Sequence, residues 1–158
     1  MSKIFGFTAL AMLVSGPVVA APLSFQDILQ QFNLVVLGDA TSDSEVEGRS
    51  YVAGNLSGTS NYWIGGSHAP QAPSDYATLT VGGNLTGPVQ VNRGGNVVVG
   101  GDATGVDLNG GGSATIGGVA TQVQGGPVTS GAAVSPGFSD LFPTSIAQTV
   151  KDSSLSFG

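Results

Sequence analysis

The chain is predicted to be mainly β: a short parallel β-solenoid of about five coils of 16–18 residues, with an N-terminal capping helix and a C-terminal helix. Three observations carry that prediction. A glycine-centred phrase recurs five times, the same residue type returns in each of its columns, and the composition is rich in glycine and poor in charge. Glycine supplies 26 of 158 residues and charged residues only 9%, against about 25% charged and about 7% glycine in ordinary domains.

In chain order, the opening "MSKIFGFTALAMLVSGPVVAAP" has one basic residue, Lys3, an apolar run to Val14 and small residues at Ala20 and Ala21. This is the pattern of a secretory signal peptide over residues 1–21, cut after Ala20 or Ala21. A membrane anchor needs roughly 20 apolar residues, and Ser15, Gly16 and Pro17 interrupt the stretch too early. The expected mature domain is residues 22–158, secreted or held at the cell surface, with no transmembrane segment.

Next comes "SFQDILQQFN". Ser24 and Asp27 form a capping-box-like start, and Phe25, Ile28, Leu29 and Phe32 recur at helical spacing. An amphipathic helix over 25–32, lying on the first coil, follows.

The repeats are "LVVLGDAT" from Leu34, "SYVAGNLS" from Ser50, "LTVGGNLT" from Leu79, "VVVGGDAT" from Val97 and "ATIGGVAT" from Ala114. Their common glycines, Gly38, Gly54, Gly83, Gly101 and Gly118, are 16, 29, 18 and 17 residues apart. Val36, Val52, Val81, Val99 and Ile116 form a β-branched column. Leu34, Leu79 and Val97 stand two residues earlier, on the same strand face, with Ser50 and Ala114 as weaker members. Ala40, Leu56, Leu85, Ala103 and Ala120 form a second apolar column. Asp39, Asn55, Asn84 and Asp102 occupy a turn column, with Val119 the exception, and Thr41, Ser57, Thr86, Thr104 and Thr121 follow. Stacked coils need like over like in this way. An antiparallel sandwich also has short strands and glycine turns, but it has no need of column identity.

The step of 29 holds a surplus over residues 59–77, "TSNYWIGGSHAPQAPSDYA". Loops on rigid scaffolds collect binding residues, so Tyr62, Trp63, His68 and Tyr76 are the candidate contact surface for a glycan, matrix or surface protein. The alternative is that Tyr62, Trp63 and Ile64 pack down on the solenoid flank. At the far end Phe138, Leu141 and Phe142 precede Pro143, a helix start, with Ile146, Val150 and Leu155 assigned to one helical face.

Chemistry is sparse. Without cysteine and with His68 the only histidine, neither a catalytic triad nor a thiolate or histidine metal site can be assembled. Beyond Lys3 the chain holds 10 acidic and 3 basic residues, net −7, which argues against nucleic acid. No cofactor is expected. Asp39, Asp43, Glu45 and Glu47 are a possible oxygen-ligand set for calcium. The competing reading is a solvated strip in which Glu47 and Arg49 form a surface pair. Threonine arrays on solenoids can order water or ice, but the outward position Val35, Tyr51, Thr80, Val98 and Thr115 is no regular threonine array, which sets ice binding aside.

The segment "FNLVVLGDATSDSEVEGRSYVAGNLSG", Phe32 to Gly58, resembles the opening of the choice-of-anchor A domain, including "EGR" at Glu47 to Arg49 and "AGNL" after it. "VGGNLTG" and "VVVGGDATG" resemble that family's central repeats, and "FSDLF" the start of its C-terminal helical segment. The resemblance spans residues 25 to about 150. It implies a bacterial exported or cell-surface domain of adhesin-like character, brings no catalytic residues, and reads the stop at Gly158, without a sorting motif, as truncation. The expected function is therefore a non-catalytic binding or structural module in surface or matrix association. The rivals are a polysaccharide-acting solenoid enzyme and a calcium-stabilised structural module.

Overall fold

A computed structural model describes residues 23–63, 74–131 and 145–155. The leader, His68, Ile64 and the Phe138 to Pro143 stretch lie outside the described residues. The elements are α1 (Phe25–Gln31), then thirteen short strands, β1 (Leu34–Val36), β2 (Ala40–Thr41), β3 (Glu45–Val46), β4 (Ser50–Val52), β5 (Leu56–Ser57), β6 (Asn61–Tyr62), β7 (Leu79–Val81), β8 (Leu85–Val91), β9 (Val97–Val99), β10 (Ala103–Leu108), β11 (Ala114–Ile116), β12 (Ala120–Gln124) and β13 (Val128–Ser130), and finally α2 (Ser145–Leu155).

All strand pairs are parallel, and they form the predicted β-solenoid of about five turns. Each coil passes through three rows of pairing. The first row is β1-β4-β7-β9-β11-β13. The second runs through Ala40, Leu56, Leu85, Ala103 and Ala120. The third runs through Val46, Tyr62, Val91 and Leu108. Registers join the aligned columns residue to residue, as Val36, Val52, Val81, Val99 and Ile116 show.

Inward side chains from the three rows meet in one apolar core that includes Val52, Leu56, Tyr62, Leu79, Leu85, Val91, Val97, Leu108 and Ile116. Two-residue strands would be marginal alone. Here β5 and β6 gain backbone bonds from a neighbour on either side, and β2 and β3 from one. A sixth strand, β13, stacks on β11 after a step of 14 residues. The repeat alignment passed over it because Ser130 stands in the β-branched column and the step is short.

The corner between second and third rows explains one glycine column. Gly58, Gly87 and Gly105 have φ of 113°, 138° and 75°, and a Cβ on Gly87 would stand 2.1 Å from the Gly58 carbonyl oxygen. In the last coil Gln122 takes the same place with φ 52°. Left-handed backbone disfavours a side chain, and the Ala120–Gln124 coil end bears that cost.

Both helices lie on the outer side of the first row. Ser24 caps α1 with a complete capping box to Asp27, and Ile28, Phe32, Tyr51 and Ile146 are buried together, with Val35, Tyr76 and Val150 packed around them. The Thr149 hydroxyl donates to the Leu23 carbonyl at 3.3 Å, tying α2 beside α1. Two assignments to the buried faces are corrected. Leu29 is 64% exposed and Leu155 79% exposed. One lies a single helical step beyond Ile28 and the other lies nine residues after Ile146, half a turn away at 3.6 residues per turn.

Candidate binding surface

A solenoid can present the outer side of each row. The first is occupied, since its outward residues Val35 and Tyr51 pack under the helices, and Thr80 and Val98 are buried as well. The other two rows are polar.

On the third row Glu45, Asn61, Gln90, Asp107 and Gln124 stand over one another. Several are tied along the stack. Gln124 donates from Nε2 to Asp107 Oδ1, and Asn109 donates from Nδ2 to Asn92 Oδ1 at 3.1 Å and to Gln90 Oε1 at 3.3 Å.

On the second row the outward position reads Thr41, Ser57, Thr86, Thr104 and Thr121, in unbroken register. The Thr41 and Ser57 hydroxyl oxygens lie 3.0 Å apart. Two residues earlier in each coil runs a side-chain ladder. The Oδ1 atoms of Asp39, Asn55, Asn84 and Asp102 accept from the backbone N–H of Asn55, Asn84, Asp102 and Val119 in turn, at 2.7, 2.8, 2.8 and 2.8 Å. This is why Asn and Asp interchange in the column: the bond uses the oxygen that both possess. Val119 has no such atom, and the ladder ends there.

Among the described residues, the sequence-derived binding candidates occupy different surroundings. Tyr62 is fully buried, its ring turned into the core of the third row. Its hydroxyl lies near Ser60 and Ser42 without a well-formed hydrogen bond, and burial raises its pKa. Tyr76 is half-buried with its ring 5.8 Å from that of Phe32, and burial, with the Asp75 charge second, raises its pKa too. Trp63 is half-buried, with φ 55°. His68 lies outside the described residues.

Of the four carboxylates, Asp39 serves the ladder and also accepts from Asn55 Nδ2 at 3.1 Å. Asp43 accepts from the Thr59 backbone N–H at 2.9 Å. Glu45 belongs to the third row and Glu47 is exposed at a corner. Among the described residues no three His, Cys, Asp or Glu side chains stand close enough together to hold a metal ion. The four carboxylates are thus distributed over separate positions of one coil.

The surface pairing of Arg49 with Glu47 is corrected. Arg49 is buried, donating from Nε to the Tyr76 carbonyl and from Nη1 to the Gln31 carbonyl, both at 3.0 Å. Gln31 ends α1, where free carbonyls and the helix dipole favour a cation. Burial lowers the Arg49 pKa. Its neighbour Gly48 is buried, and a Cβ there would stand 1.7 Å from Asn33 Oδ1. The "EGR" motif therefore clamps helix to coil. Sequence spacing had no signal for that role, since the Tyr76 and Gln31 acceptors are backbone carbonyls distant in the chain.

Among the described residues, parallel coils with helices packed on the outer side of the first row and polar outward residues on the other two define a β-solenoid. The family described as "Putative Ice-binding-like adhesive domain" has a model that matches residues 25–157. The chain belongs to that family. No curated protein and no solved structure matches it.

Proposed function

We propose that the protein is a non-catalytic adhesive module that works outside the cytoplasm, holding a cell or its matrix to a surface through the open rows of the solenoid. The observation that carries this is the adhesive-domain match over residues 25–157, nearly the whole chain. The geometry supports it, because a solenoid with ladders of short side chains offers a stiff extended surface. Among the described residues no helix is long and apolar enough to cross a membrane. Export rests on the leader at residues 1–21. The finer assignment to the choice-of-anchor A domain rests on the resemblance of "EGRSYVAGNL" alone.

Expression of the full chain in a bacterial host tests both halves. Mass spectrometry of the exported product is expected to find a new N-terminus at Ala21 or Pro22. Beads coated with that product are expected to be retained on cell envelopes or extracellular matrix more strongly than beads coated with a β-rich control of equal charge. An intact Met1 in the cytoplasmic fraction overturns export. Equal retention of both bead types overturns adhesion.

A further inference from the structure

We propose that the last coil of the solenoid, residues 114–131, is an interface where a second copy of this chain docks end to end, the two β13 edges pairing antiparallel. It goes beyond the adhesive reading and does not rest on it. The backbone bonding repeats from coil to coil and stops at one place. In the first row the N–H groups of Ser50, Leu79, Val97 and Ala114 donate to the following coil, to the carbonyls of Thr78, Asn96, Ser113 and Pro127, at 2.8, 3.2, 2.8 and 2.9 Å. In the second row those of Ala40, Leu56, Leu85 and Ala103 donate to the carbonyls of Asn55, Asn84, Asp102 and Val119, at 2.8, 2.8, 2.9 and 2.9 Å. The next members of the two series are Val128 and Ala120. Among the described residues no further strand lies beyond β13 or β12, so both turn N–H and C=O groups toward an open edge.

The apolar core is uncovered at the same end. Val128 stands over the buried Ala114 and is 39% exposed, and Val119, at the ladder's end, is 65% exposed. Ala120 and Val123 are half-buried, whereas Ala103 and Val106, one coil below them, are 0% and 1% exposed. Inward columns that are sealed within the stack therefore meet water here, and covering them is favourable.

Charge selects the occupant. Residues 114–131 carry no charged side chain. The coil at the other end, residues 34–49, holds Asp39, Asp43, Glu45 and Glu47, all exposed, and charge on an edge is a common guard against pairing. Two acidic ends repel each other. An acidic end stacked on an uncharged one would strip water from carboxylates without supplying a counter-charge. It would also set Val119 against the Asp39 N–H, where the Asn55, Asn84, Asp102 and Val119 N–H groups each have an Oδ1 acceptor. Two uncharged ends meet without either cost. A two-fold axis beside β13 uses the same patch on both copies and closes at two, whereas head-to-tail contact would keep adding copies. The dimer would carry two sets of polar rows, and bivalence raises avidity without any new contact to a surface.

The test uses the full exported chain and follows its mass by sedimentation velocity over a wide concentration range. The native protein is compared with the double variant Val119→Lys with Thr129→Lys, both exposed on the last coil, with Ser130→Pro, and with Gln90→Lys on the third row in mid-solenoid. Ser130 continues the column of Val36, Val52, Val81 and Val99, whose carbonyls accept from the following coil. In a parallel ladder a residue's N–H faces the same neighbour as its carbonyl, so proline there removes an N–H from the open edge and spares the bonds to β11. Melting by circular dichroism establishes that each variant is folded. The expected result is a native dimer, a dissociation constant raised about tenfold or more by the lysine pair and by Ser130→Pro, and no change for Gln90→Lys. The native chain has no cysteine, so Thr129→Cys, mid-strand beside the two-fold axis, is expected to trap a covalent dimer on mild oxidation, and Glu45→Cys at the acidic end is not. If the lysine pair melts early, Ser130→Pro and the two cysteine variants keep the comparison. A native monomer at every concentration overturns the proposal and leaves this end to residues 132–144 of the same chain. Species that grow past the dimer overturn it in favour of head-to-tail stacking. A dimer that the folded last-coil variants form as well as the native chain does overturns it too.

Discussion

At the scale of single residues, two positions carry a constraint that substitution can measure. Gln122 holds φ 52° where three other coils place glycine. Gln122→Gly is expected to stabilise the fold by about 0.5–1 kcal/mol, from relief of left-handed strain less the added freedom of the unfolded chain. Urea unfolding measures it, and a lower midpoint would contradict the strain reading. Arg49 is the second. Arg49→Ala leaves the Gln31 and Tyr76 carbonyls without their charged donor, and a loss of about 2–4 kcal/mol is expected. Arg49→Lys is expected to recover less than half of it, because one ammonium cannot reproduce two donors set in a planar fork. Full recovery by lysine would mean that charge alone matters there. The residue scale is also where sequence reading was weakest: Arg49 looked like a surface cation because nothing in its neighbours reveals that α1 and the returning insertion both end upon it.

At the scale of elements, the strands are held less by their own length than by what continues across them. The Asp/Asn ladder adds one side-chain bond per coil to the backbone pairing of the second row. Asn84→Ala removes the acceptor from the Asp102 N–H at 2.8 Å and is expected to cost about 0.5–1.5 kcal/mol. Asn84→Asp keeps the accepting oxygen and is expected to stay within about 0.5 kcal/mol of the native chain. If the two variants melt together, the ladder contributes nothing measurable. The helices obey ordinary rules: the Ser24 and Asp27 box appears as the sequence implies, and Ser24→Ala is expected to cost about 1 kcal/mol. Their placement could not be foreseen. Amphipathic spacing names a face that must be buried, and it leaves open whether that face sits on a coil end or on the side of the first row.

At the scale of the whole molecule, stability depends on the solenoid core and on a second apolar cluster under the helices, with tyrosine hydroxyls kept neutral by burial in both. Tyr51, Tyr62 and Tyr76 all have pKa values raised from the ordinary 10.0. A raised folded-state pKa means that the unfolded chain loses those protons first. The corresponding stability is complete below about pH 10 and is lost as pH rises through the higher folded values. A pH titration is therefore expected to show tyrosinate absorbance at 295 nm appearing together with loss of the β signal. Tyrosines that ionise at pH 10 in a fully folded protein would contradict that coupling.

The sequence by itself determined the coil, the register and the inward columns, because stacking places each residue of a repeat over its counterpart, and a column of Val, Leu and Ile tolerates few other arrangements. It also contained the second-row hydroxyls as a column. Tertiary structure alone decided which columns face water. The helices take the first row and hide Tyr51, the core takes Tyr62, and Arg49 is drawn inward by two carbonyls. Periodicity specifies that two sides of a strand differ. It is the packing of other elements on one of them that leaves the second row open, where the threonines stand.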